Sequence, residues 1–357
     1  MMTISDIAQQ RLSNQHLSRP DFGTPAEVVR RLGAVQAQDF LGALYAIGLR
    51  MPDATQQLVE EAVADRTIVR SWPMRGTIHF MPSEDARWML KLLAHRQTVK
   101  FTGMYRRVGL TPEIFARAGE VFAKVLQGGR QLTRKQLYEA LAEAGIETQG
   151  EMRGLHLLGY WAQEGLLCLG PRVGKQHTFT LLEEWIPKSR VLEGEEALAV
   201  LAGRYFVSHA PANANDFAWW TGLTLTEARL GLKLVERELV QETVAGITYW
   251  SGNAPPSTSR PDPDAYLLPP FDEFTVAYRD RSAVLDPTFT KKTQYGLSPS
   301  IIVGGRMVGT WKRTLKKDAV LVRLNLFAPL GEEHYAAVVK AAHRYGSFLG
   351  LPVLIDS

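Results

Sequence analysis

The chain has 357 residues, with 41 Lys and Arg against 37 Asp and Glu for a formal net charge of +4. A hydrophobic share of 45% and a charged share of 22% are those of a globular chain, long enough for two or three domains. Its single cysteine, Cys168, excludes an intramolecular disulfide and a cysteine-rich metal centre, while the mild positive charge admits a nucleic-acid partner without requiring one.

At the N-terminus no basic region precedes a long apolar run, and no later stretch has membrane-spanning length, so the expected location is cytoplasmic. The first well-marked helix runs from Thr24 to Leu32: Thr24 is an N-cap, Pro25 takes the first helical position and Glu27 completes a capping box. Beyond it stand Gln36 and Gln38. Two amides spaced i, i+2 point the same way only on an extended backbone; on a helix they would diverge by roughly 200°. An extended pair can hold one small object, such as a water, from one side. The plainer use is to satisfy backbone groups in a helix-to-strand turn. Asp39 would face the other way and is placed to cap the next segment.

A second helix is predicted from Ala54 to Ala64. Strands follow from Thr67 to Trp72 and from Gly76 to Phe80, turning at Pro73-Met74-Arg75. Arg66, Arg70, Arg75, Arg87, Lys91, Arg96, Lys100, Arg106 and Arg107 then accumulate against only Glu84 and Asp85. Trp72, Trp88, Phe101 and Tyr105 are interleaved. Cations among aromatics suit a surface that tracks phosphates, although a solvated basic helix face reads the same way. Arg75, at the turn, is placed to meet phosphate. His79 alternates with Thr77 and is more ordinary as a packed histidine.

The same order, two helices and then a hairpin, recurs twice. The second copy opens at Thr133, capped through Gln136, with Gly145 ending its helix. Its next helix, about Glu151 to Glu164, would turn Met152, Leu155, Leu158 and Ala162 inward. The hairpin pairs Leu166 to Leu169 with His177 to Leu181. Its basic turn, Pro171 to Lys175, offers Arg172 and Lys175 to phosphate. Cys168 reads as a packed strand residue. The third copy has helices from Asp216 to Thr221 and from Thr224, where Glu227 completes a capping box and Ala228, Leu232, Val235 and Leu239 turn inward. A hairpin of Val240 to Thr243 with Ile247 to Trp250 follows. Trp219 and Trp220 lie at helical spacing with Phe217 and Leu223, which favours core packing over base stacking.

Ala254 to Asp264, rich in proline and serine, reads as a loop. Gly304-Gly305 supplies a tight turn between Ile301 to Val303 and Arg306 to Lys312. A strand from Ala319 to Leu326 and a helix from Glu333 to Leu349 close the chain. Asp272 and Glu273 are adjacent carboxylates, weak evidence for acid–base hydrolysis or metal binding. The histidines show no His-Glu-x-x-His spacing, and no phosphate loop is present.

Several runs together resemble the AlkZ/YcaQ-like winged-helix DNA glycosylases. They are Gly33 to Arg50, Arg70 to Phe80, Gly174 to Thr178, Asp216 to Leu223, Leu267 to Asp272 and Val308 to Trp311, and they occur in that family's order. The resemblance implies an α+β fold of three tandem winged-helix domains with a C-terminal hairpin and helix, C-shaped around a concave DNA-binding cleft. The expected divisions are 1–128, 129–195, 196–253 and 254–357. In the family a Gln-x-Gln or Gln-x-Asp motif is catalytic, and Gln36 and Gln38 fall on its Gln-x-Gln form.

The implied activity is a monofunctional DNA glycosylase acting on bulky or cationic N7-alkylated purines, with crosslink unhooking as an extension. Its expected partner is double-stranded DNA carrying such lesions, with no membrane, no cofactor or metal and no required protein partner. Expected DNA contacts are Arg70, Arg75, His79, Arg106, Arg107, Arg172 and Lys175. An N7-alkylated base already carries positive charge and leaves readily, so a positioned water matters more than a strong base. Amide carbonyls can accept hydrogen bonds from that water and stabilise an oxocarbenium-like sugar, but cannot take its proton. No lysine occupies the motif, so no Schiff-base lyase step is expected. The rivals are a non-catalytic winged-helix regulator, which needs no amide pair, and a small-molecule hydrolase using Asp272 and Glu273 in a cleft of their own.

Overall fold

The computed structural model describes residues 2–150, 152–253, 264–291, 293 and 297–356. The chain divides into two compact units, Met1–Val59 with Ala199–Ser357, and Glu60–Leu198. The helices Gln56–Ala64 and Gly194–Ser208 carry the chain across the two boundaries. Of the expected loop from Ala254 to Asp264, residues 254–263 lie outside the described residues.

In the unit Glu60–Leu198 two hairpins join edge to edge. Ile68–Met74 pairs with Thr77–Pro82, and Leu167–Val173 pairs with Gln176–Leu181, all antiparallel; Arg70 faces Leu169 where the hairpins meet. The short strand Leu132–Thr133 extends the second hairpin. The helices Pro112–Leu126, Arg134–Glu143 and Arg153–Gln163 close the core through Phe115, Phe122, Leu137, Leu141, Leu157 and Leu158, against Leu167 and Phe179. Thr133 caps its helix through Gln136, as its spacing predicts.

Within this unit several details depart from the sequence reading. The first hairpin turns at Arg75-Gly76, one step later than expected. Met74 pairs directly with Thr77, and Arg75 and Gly76 take φ of 56° and 68°, the double positive φ of a two-residue turn that follows strand twist. The second hairpin turns at Gly174-Lys175, which leaves Arg172 within the strand. Met152 is not turned inward: it precedes the helix with φ 64° and is exposed, and Leu157 fills the core instead.

In the unit Met1–Val59 with Ala199–Ser357 a sheet runs in the order Val353–Asp356, Val320–Leu326, Arg306–Leu315, Ser300–Val303, Ala265–Leu268. Only its first pair is parallel. The expected Gly304-Gly305 turn is present, both residues having positive φ. The helix Glu332–Leu349 lies against this sheet so closely at Gly346 that a Cβ there would stand 2.2 Å from the Val353 side chain. The helices Ala214–Thr221 and Leu225–Val235 precede a separate hairpin, Leu239–Val244 with Ile247–Gly252. Along the second of these helices Ala228, Gly231 and Val235 are buried and Leu232 is half-buried, as is Leu239, which opens the hairpin strand and is not on the helix.

The whole is a mixed fold of helices and largely antiparallel sheets. Among the described residues no helix is long and apolar enough to cross a membrane, and no three His, Cys, Asp or Glu residues cluster to hold a metal. Cys168 is buried, and burial pushes its thiol well above the ordinary range, which suits a packing role.

Candidate active site

The Gln-Ala-Gln segment is placed by a helix that stops sharply. Thr24 Oγ1 accepts from the Glu27 amide at 3.2 Å, and Glu27 Oε2 accepts from the Thr24 amide at 3.0 Å, so the helix Pro25–Leu32 starts at a fixed point. Gly33, at φ 81°, ends it. A Cβ there would stand 3.2 Å from the Trp220 ring, so glycine serves both the turn and the close approach. The chain then runs extended through the strand Val35–Gln36, with Ala34, Val35 and Ala37 buried.

The two glutamines differ in exposure. Gln36 is 6% exposed, whereas Gln38 is exposed in the bend after the strand. The strand ends too early to enforce the alternation that the spacing suggested. What fixes the segment instead is an anchor on each side of Ala37 and Gln38. On one side the Gln36 backbone N–H donates to Glu273 Oε1 at 2.9 Å. On the other, Asp39 caps the helix Phe40–Gly48, accepting from the Gly42 amide at 2.6 Å and from Arg313 Nη2 at 2.9 Å. A cavity of about 320 Å³ opens beside Asp39, lined also by Thr310, Trp311, Lys312 and Arg313.

Behind the motif stand the two adjacent carboxylates, both fully buried and bound separately. Asp272 takes a two-pronged contact from Arg50, at 2.9 Å to each oxygen, and Arg50 also donates to Ala46 O and Gln15 Oε1. Glu273 accepts from Trp220 Nε1 at 2.9 Å and has His209 Nε2 3.5 Å away. Burial lowers the pKa of His209, opposed by Glu273. Neither carboxylate lines an open cleft, so the hydrolase reading built on this pair is set aside. Trp220 is a core residue as expected; Trp219 is 43% exposed and donates to Val276 O.

In the unit Glu60–Leu198 the expected DNA contacts separate into two groups. Arg70 and His79 are buried. Arg70 Nη1 lies 3.1 Å and 3.3 Å from the ring nitrogens of His177, and His79 Nδ1 is 3.0 Å from Thr77 O. Half-buried Arg75 holds His79 Nε2 at 3.2 Å. Arg172 is committed to Glu60 at 2.5 Å. Arg106, Arg107 and Lys175 are exposed.

Part of the basic run likewise braces this unit. Arg66 lies over the Trp185 ring, Arg87 donates to Ile186 O and Lys91 pairs with Glu193. Between the hairpins and helices a cavity of about 1000 Å³ is lined by Arg70, Trp72, Tyr138, Lys175, His177 and Phe179, the Trp72 and Phe179 rings being near parallel at 12°. Burial, reinforced by Arg70 and Arg172, lowers the pKa of His177 to about 4, so its ring is neutral near pH 7 and able to accept from Arg70.

The sequence assigns no role to Arg50, His209 or Arg313. Each meets its carboxylate from far along the chain, Arg50 from 222 residues away, and no local spacing marks such a pair.

Comparison with known proteins places the whole chain in a family. A curated relative, the interstrand DNA cross-link repair glycosylase of Streptomyces sahachiroi, is 28% identical over 327 residues, covering 85% of each chain. The solved structure of Streptomyces sahachiroi DNA glycosylase AlkZ matches with a TM-score of 0.81 over 99% of both chains at 24% identity, so the fold is shared. Residues 29–348 match the family described as DNA glycosylase AlkZ-like. The chain therefore belongs to the AlkZ-like family of DNA glycosylases.

Proposed function

We propose that this DNA glycosylase hydrolyses the N-glycosidic bond of bulky or cationic N7-alkylated purines in duplex DNA, with Gln36 and Gln38 positioning the attacking water. The carrying observation is the anchored Gln-Ala-Gln segment: the Gln36 peptide is bound from behind by Glu273, and Asp39 pins the next helix start. A water held between amide carbonyls needs little activation when the leaving base is already cationic, and orientation supplies much of the rate. On this reading the three helix–hairpin segments serve as winged helices on the duplex, and exposed Arg106, Arg107 and Lys175 contact phosphate. The cross-link repair activity named for the Streptomyces sahachiroi relative extends the proposal to unhooking interstrand crosslinks. A freely flipped base is not available in a crosslink, so the lesion must be reached without full extrusion.

The test is incubation of the purified protein with duplexes carrying N7-methylguanine and with an N7-crosslinked duplex, followed by abasic-site detection. Release of the base without strand cleavage supports the proposal. Tight binding with no release from any alkylated duplex would favour a non-catalytic DNA-binding role.

A further inference from the structure

We propose that Glu273 is a positioning residue for the Gln-Ala-Gln motif: its buried carboxylate, held by Trp220, fixes the Gln36 peptide and so sets where the Gln36 side chain aims. The inference rests on the catalytic reading of Gln36.

Glu273 is fully buried, and an ionisable side chain in that setting is costly unless its oxygens are matched by donors. Both oxygens are engaged. Oε1 accepts the Gln36 amide at 2.9 Å and Oε2 accepts Trp220 Nε1 at 2.9 Å, with His209 Nε2 3.5 Å from the same oxygen.

The carboxylate's own position is determined from several sides. Asp272 beside it is locked to Arg50, and the short helix Glu273–Val276 is capped by Asp272 through the Phe274 amide. His209 stacks on Tyr205 at 4.7 Å and its Nδ1 is 2.8 Å from Ser208 Oγ. Trp220 also packs against Gly33, where the chain turns toward the motif. Glu273 therefore links a buried aromatic cluster to the backbone amide that begins the motif. A shift of about 1 Å in a catalytic group is enough for a hundredfold loss of rate.

Glu273→Ala leaves the Gln36 amide without this acceptor while touching no exposed cation. The assay is excision of N7-methylguanine from a duplex at saturating enzyme excess, with duplex affinity measured separately. Under saturation the rate constant belongs to folded, bound protein, so partial unfolding alone would leave it at the wild-type value. The expected result is a fall of about 10- to 100-fold in that constant with duplex affinity within about twofold of wild type.

An unchanged rate constant overturns the inference. Gln36→Ala is run beside it. If Gln36→Ala is slow and Glu273→Ala is not, only the role of Glu273 fails; if Gln36→Ala keeps the wild-type rate, the catalytic reading fails and this inference with it. Should Glu273→Ala give no cooperative melt, Trp220→Phe decides, since it removes the N–H on Oε2 and keeps an aromatic ring. A severalfold slower rate constant supports the role, and a wild-type constant overturns it.

Discussion

Arg50→Met is the sharpest test of how the core behind the motif is built. Arg50 and Asp272 are both fully buried, and Arg50 binds Asp272 through both nitrogens at 2.9 Å. Methionine keeps much of the volume but removes the charge and the donors. The Asp272 carboxylate would retain the Phe274 amide, at 2.9 Å, as its described donor. Gln15 Oε1 and Ala46 O would lose a partner as well. Removing one half of a buried ion pair costs about 3 to 5 kcal/mol, because the remaining charge stays desolvated. With a urea slope of about 2 kcal/mol per molar, the midpoint should fall by roughly 2 M. Arg50→Met combined with Asp272→Leu should recover part of that loss, since an apolar pair carries no stranded charge. The assay is urea unfolding followed by circular dichroism. A loss below about 1 kcal/mol for the single variant would refute the reasoning, because it would mean that water reaches Asp272.

Asp39→Ala removes a helix cap and a partly exposed ion pair with Arg313, and should cost about 1 to 2 kcal/mol in the same assay; Asp39→Asn, still a good cap, should cost less, and equal losses would mean that the cap contributes nothing. Arg106→Ala and Arg107→Ala should each weaken duplex binding across sequences and reduce the slope of log affinity against log salt by about one; an unchanged slope would place the phosphates on another face. His177 should make stability depend on pH. Its folded pKa of about 4 lies below the ordinary 6.5, so the unfolded chain binds the proton more readily. Stability is full above pH 6.5 and falls as the pH drops toward 4, and His177→Asn should flatten that fall; a difference between variant and wild type that does not change with pH would contradict it.

Much of the fold was legible because its signals are local. Thr24 with Glu27, Thr133 with Gln136 and Thr224 with Glu227 each mark a helix start within four residues, and each forms the capping box expected of it. Gly304-Gly305 places a turn by backbone freedom alone. Turns without such a signature were misplaced: Arg75 adopts positive φ although nothing in its side chain announces it. The site was legible in part. Gln36 and Gln38 stood out by family resemblance, but spacing could not foresee that the strand stops at Gln36 and leaves the two amides with different exposure. Asp272 and Glu273 were noticed as neighbours, yet their opposite assignments, one to Arg50 and the other to the Gln36 peptide, depend on contacts more than 200 residues apart in sequence. Burial of Arg70 and His79 was hidden for a related reason. A basic or aromatic residue on a strand reads the same whether its face meets solvent or a second hairpin.

The central claim is that Gln36 and Gln38 act on chemistry and not on DNA affinity. Gln36→Ala and Gln38→Ala should each slow single-turnover release of N7-alkylguanine by about 30- to 1000-fold, the equivalent of roughly 2 to 4 kcal/mol of lost positioning, while duplex affinity and circular dichroism stay near wild type. Gln38→Asp should keep partial activity, because a carboxylate can also orient water. Base release at the wild-type rate from either alanine variant would contradict the account.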